Sequence, residues 1–200
     1  MILVKRYMLL LVVVLPFTAY TQSVKDVKKF QKKMNREFKD PQASPMTKED
    51  RAKFKKLDFF PINKELIIKA AFKRTPNSLP FKMRTTTDRL PIYEKYGEAH
   101  FEVDGEKFVL SIYQNLGLRE KAGYENYLFL PFTDETNGKE SYGGGRYIGL
   151  EIPEGNTILI DFNQAYNPYC AYNYKYSCPI PPKENHLAVE INAGVKNFVK

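Results

Sequence analysis

Histidine and cysteine are scarce in this sequence: His100 and His186, Cys170 and Cys178 are the only ones among 200 residues. A metal site could draw on these four, but their spacing matches no established zinc pattern, and no metal is expected. A G-x-S-x-G elbow, an H-E-x-x-H helix and a Ca²⁺ loop are absent as well. So is any apolar run of the roughly 20 residues that a transmembrane helix needs. The longest run, Tyr7 to Phe17, follows Lys5 and Arg6 and precedes the small-residue stretch Thr18-Ala19-Tyr20-Thr21. That order is a cleavable secretory signal over residues 1–22, with an uncleaved anchor as the alternative. No cysteine follows the run, so a lipid has no acceptor there. The chain is expected to be exported, to a periplasm or to the outside of the cell.

What remains after cleavage is enough for one domain with a real core. The formal charge of +8 is unevenly placed. Residues 23–56 carry 12 basic and 5 acidic side chains, and residues 91–200 carry 10 basic and 15 acidic. The basic character thus belongs chiefly to an N-terminal arm, and the C-terminal residues 91–200 are acidic. A nucleic-acid partner is not expected, since it would need a basic groove on the folded domain. A basic arm is a solvated helix face, or one that makes peripheral contact with a membrane surface.

Val24, Val27, Phe30, Met34 and Phe38 recur at intervals of three and four, which predicts an amphipathic helix over Ser23 to Lys39. Thr47 and Asp50 resemble a capping box opening a short helix to about Lys56. From Leu57 the pattern changes to short apolar runs between turn residues, over a β-rich stretch of residues 57–200. Strands are expected at Glu65 to Lys73, Tyr127 to Phe132, Arg146 to Ile152, Thr157 to Phe162 and Leu187 to Ala193. Asp104-Gly105 predicts a type I′ hairpin between Glu98–Val103 and Glu106–Gln114, with Glu102 opposite Lys107 and Phe101 opposite Phe108. The fold class is therefore mainly β, an antiparallel barrel or sandwich with one or two short N-terminal helices.

Two polar clusters are candidates for chemistry. In the first, Asp134, Gly143, Gly144, Gly145, Arg146 and Tyr147 lie on a connection between two expected strands. Glycine N–H groups and Arg146 would receive an anion there, with Asp134 as a base or orienting carboxylate. The plainer alternative is a hairpin connection closed by an Arg146–Asp134 ion pair. No helix start follows the glycines, so this is neither a P-loop nor a dinucleotide fingerprint. The second cluster opens with Asp161 and Asn163 and runs through the long segment Asn163 to His186, dense in Tyr, Asn and Pro. Cys170 and Cys178 lie in it, and in an exported chain an even pair is first read as a disulfide. It would close a nine-residue ring, contribute roughly 2 to 3 kcal/mol and pin the segment. A metal site and a Cys170 nucleophile are the competing readings; the second needs a histidine base. The tyrosines at Tyr142, Tyr147, Tyr166, Tyr169, Tyr172, Tyr174 and Tyr176 suit stacking on a ring or half-burial against a sheet. Glu151 with Asp161 would serve a glycosidase only at the right separation.

Taken together, Tyr96-Gly97, Asp104-Gly105, Phe129-Leu-Pro-Phe-Thr-Asp134, Tyr142-Gly-Gly-Gly-Arg-Tyr147, Asp161-Phe-Asn-Gln-Ala-Tyr-Asn-Pro-Tyr-Cys170 and Cys178-Pro-Ile-Pro-Pro-Lys-Glu-Asn185 resemble a bacterial family, domain of unknown function 1684. The resemblance runs from about Ser44 to Val195 and is most specific in its last third. Gln164 stands where that family has Arg or Lys, and His186 where it is variable, which counts against His186 as a ligand. The resemblance implies that the loops around Arg146 and Asn163 to Asn185 belong to a shared architecture. It implies no reaction, substrate or cofactor, and the sequence identifies no cofactor either. The expected function is a binding or interaction module. A small polar or anionic ligand would sit at Gly143 to Arg146, oriented by Asp134 and Asn163, with the tyrosine-rich segment as a wall. The alternative is a cell-envelope hydrolase with Asp134 or Asp161 as base and Arg146 stabilising an oxyanion.

Overall fold

The computed structural model describes residues 18–198, with side chains from residue 24 onward. Most of the expected secretory signal lies outside the described residues. The first helix, α1 (Thr18–Lys39), buries Val27, Met34 and Phe38 and half-buries Val24 and Phe30, while its lysines stay exposed. The three-and-four spacing is thus realised as a docked face. Met34 and Phe38 pack with Met46, Leu57, Tyr172 and Val195, and Phe38 meets the Tyr172 ring edge-on at 4.7 Å. The amide of Leu57 donates to Asn35 Oδ1 at 2.7 Å. Pro41 disfavours helical geometry at the residue before it, and α1 ends at Lys39. A second helix, α2 (Lys48–Lys53), starts at Thr47, whose hydroxyl accepts from the Asp50 amide at 3.1 Å.

One sheet follows, built from β1 (Ile67–Arg74), β2 (Phe81–Lys82), β3 (Ile92–Val103), β4 (Glu106–Asn115), β5 (Tyr127–Asp134), β6 (Arg146–Glu151), β7 (Thr157–Asp161) and β8 (His186–Leu187). A four-residue helix, α3 (Leu116–Arg119), leaves β4. The path is β6-β5-β4-β3-β1-β7, with β2 on β3 and β8 on β5. Its pairings are antiparallel except β8 with β5. The mainly β reading holds, and the sheet curls into a half-barrel.

The hairpin forms in the expected register, Glu102 against Lys107 and Phe101 against Phe108. Asp104 and Gly105 adopt φ of 52° and 82°, as a type I′ turn requires. A Gly105→Ala variant places a Cβ at positive φ with no close neighbour. It is expected to lose about 1 kcal/mol, read as a shift in the urea midpoint without a change of slope.

Because side chains alternate along a strand, the sheet has two apolar faces. Leu110 and Ile112 of β4, Leu128, Leu130 and Phe132 of β5 and Ile148 of β6 point into the main core with Ile160, Phe162, Leu187 and Ile191. The residues between them, Tyr113, Phe129 and Tyr147, point the other way and form an aromatic layer with Met83 and Tyr93. The long segment after β7 covers that second face.

Candidate functional site

Asp134 ends β5 and Arg146 begins β6, and the register carries Arg146 opposite Phe132, two residues short of Asp134. Both side chains have no exposed surface, and Arg146 Nη2 donates to Asp134 Oδ2 at 2.7 Å. Asp134 Oδ1 accepts from the Thr136 amide at 2.9 Å, the Thr136 hydroxyl at 2.6 Å and the Ile191 amide at 3.2 Å. Arg146 also donates to the carbonyls of Ile191, at 2.8 Å, and Ala193. The Phe60 and Phe132 rings flank the guanidinium, 5.7 and 5.3 Å from Cζ. Burial pulls its pKa down, and Asp134 opposes that shift. The plainer of the two sequence readings is the one built here. Arg146 clasps the β5–β6 hairpin to the chain's last segment and offers no surface to an anion. Asp134 is equally buried, with both oxygens engaged.

The connection between these strands closes on itself. Asn137 Oδ1 accepts from the Asp134 amide at 2.6 Å, and Asn137 Nδ2 donates to Ser141 Oγ at 2.9 Å and to the Tyr142 carbonyl at 2.8 Å. Gly143 and Gly144 are exposed, whereas Gly145 is buried at φ 87°, where a Cβ would lie 2.7 Å from the Phe132 carbonyl and from Pro181. The Gly145 amide donates to the Tyr142 carbonyl. Gly145 is thus required by a close approach of chains, and its N–H is already used.

Asp161 and Asn163 form a separate clasp. Asp161 Oδ1 accepts from the Asn163 amide at 3.1 Å and from Asn163 Nδ2 at 2.8 Å, and Oδ2 accepts from Gln164 Nε2 at 3.0 Å. Asn163 then pins residue 63, taking the Asn63 amide on Oδ1 and donating to the Asn63 carbonyl, each at 2.8 Å. Nothing is left for a ligand. Glu151 is exposed at the end of β6, while Asp161 is buried at the end of β7 with both oxygens engaged, so the two do not form a glycosidase pair.

The histidines lie elsewhere. His100 Nε2 bonds Glu98 at 3.2 Å, and His186 bonds the Thr133 hydroxyl at 3.0 Å and Glu135 at 3.3 Å. The base that a Cys170 nucleophile would need is absent from its surroundings, and Cys170, Cys178, His100 and His186 do not converge. Among the described residues no three His, Cys, Asp or Glu side chains are grouped to hold a metal ion. Cys170 and Cys178 do meet. They are free thiols in contact rather than a bonded pair, with the Cys170 amide donating to Cys178 Sγ at 3.2 Å and Tyr142 Oη 3.8 Å from Cys170 Sγ.

The tyrosines build a cleft beside these thiols. This cleft of about 330 Å³ lies over the second face of the sheet, walled by Tyr93, Tyr127, Tyr147, Tyr166, Tyr169 and Tyr176, with Ser177, Cys178 and Pro179 on its rim. Tyr147 donates to the Pro179 carbonyl, and the Tyr127 and Tyr166 hydroxyls are 3.4 Å apart. Burial pushes the pKa of Tyr127, Tyr147 and Tyr166 up, so these hydroxyls remain O–H donors. At the rim the exposed Arg89 donates to Ser177 Oγ at 3.1 Å and to the Ser177 carbonyl at 2.8 Å. A larger groove of about 660 Å³ is lined by α1 residues, five of them lysines, together with Gln164.

Sequence reasoning missed Arg89 and Asn185. Arg89 lies in Arg84-Thr-Thr-Thr-Asp-Arg-Leu90, a stretch with no strand or helix period, and its partner is 88 residues away. Asn185 is fully buried between β4 and β5. The signal that could have exposed it is Pro131, which places a residue without an N–H inside a central strand.

A family model described as "Protein of unknown function (DUF1684)" matches residues 52–196. No match was found among curated proteins. The solution NMR structure of an uncharacterized protein from Haloarcula marismortui is similar at 30% identity and a TM-score of 0.70, over 89% of this chain and 96% of that one.

Proposed function

We propose that this chain, which belongs to the DUF1684 family, is an exported binding module that holds a small anionic ligand with a flat apolar body in the tyrosine-lined cleft. The observation that carries this is the convergence of six tyrosines on one open cleft, with the exposed, partly free Arg89 guanidinium bonded to Ser177 in its lining. Ligand sites are concave and mostly apolar, with a few placed polar groups, and this cleft has that composition. Ring faces take the flat body, the Tyr127 and Tyr166 hydroxyls take its polar edge, and the remaining Arg89 donors take its charge. The anion contact thus moves from Arg146, which is sealed, to Arg89, which is not. Export rests on residues 1–22, whose removal leaves the buried face of α1 intact from Val24 onward. The exposed basic face of α1 is suited to peripheral contact with an anionic membrane surface. In an oxidising compartment the paired thiols are placed to form a disulfide.

Benzoate is the simplest probe of this chemistry. Titrating it into the protein is expected to give saturable binding in the millimolar range, read from tyrosine ring NMR signals. Arg89→Gln should weaken it about tenfold, or about 1.4 kcal/mol. The melting temperature should hardly move, because an exposed substitution of this kind changes stability by about 0.5 kcal/mol or less. Ring signals from the cleft that do not respond to benzoate, or an Arg89→Gln variant that binds it equally well, would refute the assignment.

A further inference from the structure

We propose that Cys170 and Cys178 are an exchangeable dithiol–disulfide pair, in which Cys170 attacks an alkyl disulfide and Cys178 resolves the product. The two sulfurs differ in depth: Cys170 is half-buried, whereas Cys178 is 6% exposed. Cys178 is also held in place. Its amide donates to Thr86 Oγ1 at 3.1 Å, and its carbonyl accepts from the Thr86 amide at 2.9 Å. Cys170 sits on a single 3₁₀ turn, Tyr169–Ala171, whose first residue lines the cleft. One sulfur is thus reachable from solvent and the other is fixed behind it.

The electrostatics divide the roles in the same direction. A hydrogen bond from the Cys178 thiol draws the Cys170 pKa down to about 6, with help from the Tyr142 hydroxyl, while the same bond pushes Cys178 up. The reduced pair therefore carries its thiolate on the accessible sulfur at neutral pH, and the thiolate is the nucleophile. Stabilising that thiolate also stabilises the reduced form, which makes the corresponding disulfide easier to reduce than an inert staple.

The step balances without a metal or an external electron carrier. The Cys170 thiolate attacks one sulfur of an alkyl disulfide, the S–S bond breaks, and the departing thiolate takes a proton from water. The Cys178 thiol gives up its proton and attacks the Cys170 sulfur of the mixed disulfide. The ring closes, and the second thiol leaves with that proton. Two electrons pass from the pair to the disulfide, which becomes two thiols. This chemistry belongs to the sulfurs and does not depend on a ligand in the tyrosine cleft.

The test uses oxidised glutathione as the disulfide, the full chain in reduced form, and intact mass as the readout. At pH 7 the wild type is expected to lose two hydrogens and keep no glutathione. Cys178→Ser should keep one glutathione on Cys170, and Cys170→Ser should react about 100-fold more slowly. Alkylation of Cys170 in the reduced wild type by iodoacetamide should reach half its maximal rate near pH 6, and in Cys178→Ser at a higher pH, because the thiol that lowers the Cys170 pKa is gone. If the two single variants react at equal rates, or the wild type accumulates glutathione without closing, the assignment fails. A further arm needs no variant: the oxidised wild type is placed in excess reduced glutathione without denaturant. Opening of the ring there supports exchange, and a ring that opens only on unfolding marks an inert staple and overturns the proposal.

Discussion

Arg146→Ala is expected to destabilise the protein by about 3 to 5 kcal/mol, a large share of a domain's whole stability of about 5 to 15 kcal/mol. The cost comes from what is left behind. Asp134 would be a buried carboxylate without its cation, the Ala193 carbonyl would lose its donor, and the Ile191 carbonyl would keep only the Ala193 amide. Urea unfolding of the wild type and the variant measures it. A double variant, Asp134→Leu with Arg146→Met, separates the clasp from a simple ion pair. Buried ion pairs can often be exchanged for apolar residues at little cost, because the desolvation penalty disappears with them. Here the exchange leaves the Ile191 and Thr136 amides and the Ala193 carbonyl without their partners in the core. The double variant should therefore remain well below the wild type. Wild-type stability in the double variant would mean that the charges serve only each other.

What the sequence made legible was what depends on near neighbours. The face of α1, the Thr47 cap and the Asp104-Gly105 register each follow from residues within a few positions of one another, and each is present as read. Expectations that needed distant partners came out differently. Leu187 to Ala193 alternates like a strand, yet only His186 and Leu187 pair with β5. The rest is held by the Asp134–Arg146 clasp, whose members lie more than forty positions earlier. Asp134, Arg146, Asp161 and Asn163 have the residue types of a polar site, and residue type cannot tell a ligand contact from a backbone clasp. Burial decides it, and burial here depends on how residues 57–63 and 189–195 pack over the sheet ends.

The two faces of the sheet then have different uses. The inner face is closed by aliphatic residues and two polar clasps, and it accounts for stability. The outer face carries the aromatic layer, and the long segment after β7 covers it incompletely, leaving the cleft and the two thiols at one margin. That segment is fixed in one part and open to solvent in another. Its later part is fixed to the strands by Asn185, and its middle part brings Tyr166, Tyr169 and Cys178 to the cleft.

Asn185→Ala is the second substitution expected to be severe, at about 3 to 5 kcal/mol, and its mechanism differs from that of Arg146. The β4–β5 ladder pairs Tyr113 with Phe129. Continuing that register would set Ser111 against Pro131, which has no N–H to give. Asn185 fills the gap: its Oδ1 accepts from the Ser111 amide at 2.8 Å, and its Nδ2 donates to the Ser111 carbonyl at 2.8 Å and the Pro131 carbonyl at 2.7 Å. A side-chain amide thus stands in for a missing stretch of ladder. Its removal orphans three buried backbone groups at about 1 to 3 kcal/mol each, less whatever entering water recovers. Hydrogen exchange should show the Ser111 amide losing protection in the alanine variant. Asn185→Asp sharpens the test, because it keeps the acceptor for Ser111 but turns a carboxylate toward two carbonyls. Folding then disfavours the charged form, so the new carboxyl has a raised pKa in the folded state. The defect relative to wild type should be smallest below about pH 4, where the acid is protonated in both states and can donate. It should deepen as pH rises through that value and level off above the folded-state pKa. A defect in Asn185→Asp that does not change with pH would show that this amide is not bridging the strands.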